Sequence, residues 1–145
     1  MIVENRRARH EYHILESLEA GLVLTGTEVK SVRAGGVSLS EAYARIRDDE
    51  AWLLGMHIPP YKQGSFSNTE PNRPRKLLLH KAEVVRLKSR VAEKGLTIVP
   101  LRLYFTRGIA KVMLGVARGK KLWDKRADAA KRDVQREIAR HVRRS

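Results

Sequence analysis

Apolar and polar residues alternate along much of this chain, with the period of a strand. Tyr12, Ile14 and Leu18 sit at even spacing within 11–24, which predicts an extended segment, with Gly21 as its bend or bulge. Over 39–47, Ala42, Ala44 and Ile46 fall on one side and Tyr43, Arg45 and Arg47 on the other. Asp48-Asp49-Glu50 then makes a turn and 51–58 the return strand of a hairpin, stopped by Pro59-Pro60. In 96–105 the inward set is Val99, Leu101, Leu103 and Phe105, and Pro100 moves this strand toward an edge or a bulge. After a turn at Arg107-Gly108, Ala110, Val112, Leu114 and Val116 alternate with Lys111, Met113 and Gly115 through 109–117.

Other stretches have the helical period. Over 25–36, Thr25 or Thr27 can cap, Glu28 sits in the first turn, Val29 and Val32 share a face, Arg33 is in the last turn, and Gly35-Gly36 ends the helix. Residues 75–94 predict helix closed by Gly95, with Val84, Leu87 and Val91 as its stripe. Leu77-Leu78-Leu79 lies off that stripe, so a break is expected near His80-Lys81, giving two short helices. Residues 61–74, rich in Ser, Asn, Gly and Pro, read as a loop. Asn5 to Arg9 is short and basic, either a solvated arm or a phosphate contact. Short strands with two helical insertions predict a mainly β fold: an OB-type closed antiparallel barrel over 1–118.

Residues 119–145 form a different object, a basic C-terminal tail. From Arg118 onward eleven Lys/Arg stand against four Asp/Glu, a net of +7, half of the +14 of all 145 residues. Trp123, Ala127, Ala130, Val134, Ile138 and Val142 recur at spacings of three and four. Asp128-Arg132, Asp133-Arg136 and Glu137-Arg140 can pair along a helix, each pair worth about 0.2–0.5 kcal/mol. The stripe is mostly alanine and valine, and an isolated helix of this length is marginal in water. The expectation is a tail that frays when free and becomes helical where phosphates neutralise its arginines; a helix packed on the barrel is the alternative. Trp123, between Lys121 and Lys125, is either an anchor on the barrel or a base-stacking platform.

Composition narrows the function. A net charge of +14 points to nucleic acid, less to an anionic membrane, since the basic segments lack large apolar residues opposite the charge. With no cysteine there are no disulfides, zinc ribbons or thiol catalysis. No apolar run reaches the roughly 18 residues of a membrane span, and the N-terminus has no signal-peptide core, so the default location is the cytoplasm. Nothing suggests catalysis, a metal site or a cofactor. His10 and His13, three apart in the predicted strand, point to opposite faces. Gly115-x-x-x-Gly119-Lys120-Lys121 is one residue short of a P-loop and has lysine where Ser or Thr should hold magnesium.

Five blocks carry a resemblance. They are Asn5-Arg-Arg-Ala-Arg-His-Glu-Tyr12, the run Glu19 to Gly35, Arg73-Pro-Arg-Lys-Leu-Leu-Leu-His80, Val99-Pro-Leu-Arg-Leu-Tyr104 and Gly119-Lys-Lys-Leu-Trp-Asp-Lys-Arg126. Together they resemble the SsrA-binding protein family, small protein B of bacterial trans-translation, over nearly the whole length. The resemblance implies a non-enzymatic adaptor, and a monomer is the simple expectation. Its barrel would hold the tRNA-like end of transfer-messenger RNA and bring it to the A site of a stalled ribosome, replacing the missing anticodon arm. Its tail would fold in the empty mRNA channel. Elongation factor Tu and alanyl-tRNA synthetase are implied as indirect partners. Glu19, Leu78 and His80 match the family's RNA-binding positions, His80 standing where some members have asparagine; Asn5, Lys30, Arg33 and Arg75, in the same blocks, join that set. Gly119, Lys120, Lys121, Asp124, Lys125 and Arg126 match the tail residues needed for accommodation and tagging, and the resemblance favours stacking for Trp123. A general OB-fold or ribosomal nucleic-acid-binding protein is the alternative reading.

Overall fold

A computed structural model of the chain describes residues 2–61, 69–93 and 95–144, apart from the side chains of 122–124, 137 and 139–144. Seven strands are β1 (Ile2–Glu4), β2 (Tyr12–Leu22), β3 (Tyr43–Arg47), β4 (Glu50–Leu54), β5 (Arg75–Leu78), β6 (Leu96–Thr106) and β7 (Ile109–Gly119). Four helices are α1 (Arg6–Glu11), α2 (Gly26–Ala34), α3 (Lys81–Val91) and α4 (Leu122–Arg144). The strand order is β1-β6-β3-β4-β5-β2-β7, and β6 also pairs with β7, so six strands close a ring beside which β1 lies along the far end of β6. Every pairing is antiparallel. Closure leaves few open edges on which another strand could pair.

Two hairpins set the register, each through a two-residue turn in the left-handed region that matches strand twist. Asp48 and Asp49, at φ 50° and 59°, join β3 to β4, and Arg107 and Gly108, at 52° and 78°, join β6 to β7. Inward residues of the hairpins, with Ala20, Leu22, Val32 and Leu87, fill one core. Helix α2 has the expected start: the Thr25 side chain accepts from the Glu28 N–H, and the Glu28 carboxylate accepts from the Thr25 N–H.

Four expectations need correction. Residues 75–78 are a strand, because Arg75 and Leu77 point inward while Lys76 and Leu78 point out, and β5 fills the gap between β4 and β2. The predicted break at His80 is where this strand gives way to α3. Asn5 to Arg9 is not a wholly solvated arm: its arginines are exposed, but Asn5 Oδ1 accepts from the Ala8 N–H at 3.2 Å and starts α1, which seats Ala8 on Val99, Leu101 and Ala117. His10 and His13 therefore lie in a helix and a strand, not in one strand. The irregularity in β2 falls at Leu15, between Ile14 and Glu16, rather than at Gly21.

Pro100 produces the bulge and not the edge. β6 is paired on both sides, with β7 on one and with β3 and β1 on the other. Its register to β7 slips between Pro100 and Arg102, which changes the face its side chains take. Ile98 and Leu103 enter the main core, whereas Val99 and Leu101, expected inside the barrel, lie outside it beneath α1.

Candidate nucleic-acid interface

The outer faces of β5, β2, β7, β6 and β1 form one continuous surface. A cross-strand row runs Leu78, Gly21, Lys111, Tyr104 and Ile2, and the row beside it runs Glu19, Met113, Arg102 and Glu4. Alternation leaves all of these but the buried Gly21 exposed or half-exposed, since Ala20, Leu77, Val112 and Leu103, one step along the strands, are buried. Leu78 is 54% exposed, a large apolar side chain offered to solvent among polar neighbours.

Glu19 organises the charges. Its carboxylate accepts a hydrogen bond from the Tyr104 hydroxyl and lies 3.9 Å from Lys111 Nζ. Burial, then the bond to Glu19, pushes the Tyr104 hydroxyl up to about 12. Arg102 stacks over the Tyr104 ring at 5.8 Å, and Arg33 of α2 over Phe105 at 5.2 Å. Lys30, one turn earlier, sits 5.8 Å from the Tyr61 ring. Cations held on aromatic faces, with an apolar residue beside them, suit a folded RNA that presents phosphates and stacked or exposed bases. His80, exposed at the start of α3, adds an imidazole near Leu78, and the His80 backbone N–H donates to Glu83 Oε1 at 2.9 Å.

Two residues of the expected RNA-binding set lie beneath this surface rather than on it. Asn5 is buried and donates through Nδ2 to Pro100 O at 2.7 Å and Leu39 O at 3.1 Å. Arg75 is 0% exposed; it donates to Met56 O at 2.6 Å and Pro71 O at 2.9 Å and pairs with Glu28 Oε2. These side-chain donors of both residues are thus taken up inside the protein. Burial alone would raise the Glu28 carboxyl, but hydrogen bonds from Arg73, the Thr25 N–H and Arg75 outweigh it and hold the group below its ordinary value. Arg102, Tyr104 and Lys111 lie on this candidate surface and were not singled out by sequence reasoning; their outward parity on β6 and β7 was the available signal, while Phe105 packs against the core as expected.

The tail leaves from the end of β7. Gly119 still pairs with Tyr12, and the Lys120 N–H donates to Glu11 O at 2.7 Å. Lys120 Nζ donates to Arg9 O at 3.1 Å and forms an ion pair with Asp128, which lowers that carboxyl. Asp128 is thus engaged by Lys120 rather than by Arg132 alone, as the helical spacing predicted. Arg6, Arg9, His10, Lys131 and Arg132 line the groove between α1 and α4. Lys121 and Arg126 are exposed and Lys125 is half-buried, while Val134 and Ile138 face solvent, so the apolar stripe of α4 is uncovered there. Trp123 and Asp124 belong to the backbone of α4, and their side chains lie outside those described.

The sequence profile of the SmpB protein family matches residues 2–144. The chain belongs to that family. The SsrA-binding protein of Desulforudis audaxviator is 59% identical over 142 residues, covering 98% of this chain and 93% of the relative. That of Carboxydothermus hydrogenoformans is 57% identical over 143 residues, covering 99% and 96%. A solved structure described as "tmRNA-SmpB: a journey to the center of the bacterial ribosome" is 57% identical, with a TM-score of 0.71, covering 83% of this chain and 85% of that one. The family's OB-type barrel is thus the architecture found here. Among the described residues no helix is long and apolar enough to cross a membrane.

Proposed function

We propose that this chain is the adaptor that binds transfer-messenger RNA and delivers it to the A site of stalled ribosomes for trans-translation. The observation that carries this reading is full-length membership of the SmpB family, with relatives called SsrA-binding proteins. The division of labour follows from the two surfaces. The barrel, residues 1–118, holds the tRNA-like domain on the face of Glu19, Leu78 and His80, with Lys30, Arg33, Arg102 and Lys111 as its cations. Residues 119–145 enter the empty mRNA channel, where Gly119, Lys120, Lys121, Asp124, Lys125 and Arg126 support accommodation and Trp123 stacks on a decoding-centre base. The protein acts in the cytoplasm as a monomer, without catalysis of its own. Elongation factor Tu and alanyl-tRNA synthetase meet it only through the RNA.

Cutting the chain after Gly119 tests the division. Affinity for the isolated tRNA-like domain stays within a few-fold of the full chain, and tagging of stalled peptides is lost. Equal loss of both activities would refute the assignment. A general OB-fold binder is separated from this adaptor by a salt titration: transfer-messenger RNA keeps an advantage over ordinary tRNA at salt that removes non-specific binding.

A further inference from the structure

The outer face of the β3–β4 hairpin carries a second cationic and aromatic cluster that the interface around Glu19 does not use. Arg45 and Arg47 are two residues apart on β3, so both point outward, and both are exposed. Arg45 stands opposite Trp52 on β4, and Trp52 opposite Lys76 on β5. The half-buried Trp52 therefore sits between two cationic positions. Arg45, Arg47, Asp48, Glu50 and Trp52 line a hollow of about 390 Å³, within the roughly 300–1,000 Å³ of ligand pockets. Lys76 is held by Glu50 at 3.5 Å. Among the described residues neither Arg45 nor Arg47 has an ion-pair or hydrogen-bond partner, whereas Arg7, Arg73, Arg75, Arg86 and Arg90 each meet a carboxylate.

A solvated strand face would account for the arginines alone. A large aromatic left partly open between cations asks for a ligand with a π face and a negative charge. We propose that this hollow is a second RNA site, holding one unpaired nucleotide with its base on Trp52 and its phosphates on Arg45 and Arg47. Asp48 and Glu50 at the rim disfavour a duplex backbone, but a carboxylate can accept from the amino group of a splayed-out base, as it does from cytosine N4. Lys76 and Leu78 are two apart on β5, so the site shares an outer face with Leu78, and one RNA can span both. It needs none of Glu19, Leu78 or His80, so it stands or falls separately from the proposed function.

The test uses the full chain and hexacytidylate as probe, with a duplex of the same length beside it. The chain has two tryptophans, so Trp123→Phe leaves Trp52 as the reporter. Hexacytidylate quenches its fluorescence and the duplex does so far less. Read by calorimetry, since the variants lose the reporter, Trp52→Ala raises Kd by about 5- to 150-fold, the loss of one stacked base, and Trp52→Phe by less. Arg45→Gln with Arg47→Gln, both on exposed positions that leave the core intact, flattens the slope of log Kd against log salt by about 1.4, or 0.7 per phosphate. Photo-crosslinking of the Trp52 peptide, with transfer-messenger RNA alone and then on the ribosome, tells which RNA supplies the nucleotide. Unquenched Trp52 at saturation, an unchanged salt slope in the double variant, or no crosslink in either complex would overturn the proposal.

Discussion

Leu78 lies directly over Gly21: a Cβ added at Gly21 would stand 3.1 Å from Leu78 Cβ. The glycine lets the outward leucine of β5 settle across the neighbouring strand, beside Lys111 and Glu19. Gly21→Ala forces Leu78 to shift by a few tenths of an ångström. Since Leu78 is open to solvent, the fold absorbs this at less than about 1.5 kcal/mol, in the range of small overpacking costs. The interface does not. The variant binds the tRNA-like domain several-fold more weakly while its urea midpoint hardly moves, and a matched fall in stability and affinity would show that Gly21 serves packing alone.

Glu28 holds Arg73 and Arg75 against α2 from a site 3% exposed. Glu28→Gln leaves the buried Arg75 guanidinium without its counter-charge and costs about 3–5 kcal/mol, measured by urea denaturation at pH 7. The pH dependence has a definite sign. The folded-state carboxyl lies below its unfolded value of about 4.3, so its contribution is present above that pH and is lost as pH falls through the lower folded value. The gap between wild type and variant therefore narrows in acid.

Tyr104 gives an alkaline signature. Its hydroxyl, pushed up to about 12, keeps its bond to Glu19 below pH 10 and loses it as pH rises through 12. In an absorbance titration Tyr104 ionises late. Glu19→Ala moves that late step back toward the ordinary range. A titration with no late tyrosine in the wild type would remove the hydrogen bond from the account.

Lys120 joins the tail to α1 through its side chain as well as its backbone. Lys120→Met breaks the link to Asp128 and Arg9 at the join, outside the barrel's core. It lowers tagging more than binding to the tRNA-like domain. Asp128→Asn, which keeps a hydrogen-bond acceptor, has the smaller effect. If the two variants differ in the opposite order, Lys120 acts on RNA directly and not by orienting α4.

Much of the barrel was legible because the strand period survives wherever one face is buried, as in the hairpin of β6 and β7. The α2 capping box could be read from Thr25 and Glu28 because its bonds are local. Residues 75–78 could not. Arg75 occupies an inward position that a hydrophobicity pattern scores as polar, and only Glu28, 47 positions earlier, neutralises it. The same cause hid the packing of Asn5 and Arg75, whose donors are taken by long-range acceptors, Leu39 O and Met56 O among them. Val99 and Leu101 were assigned to the wrong side because the slip at Pro100 reverses which face follows it.

That slip ties the two ends of the protein together. Because β6 turns Val99 and Leu101 outward, α1 has an apolar seat on the barrel wall, and Glu11 and Arg9 at its end supply the carbonyls that grip Lys120. The bearing of the departing arm is therefore set by the opening dozen residues. A lesion under α1, such as Ala8→Asp, would swing that arm off course from the far end of the polypeptide, and leave the face around Glu19 as it was.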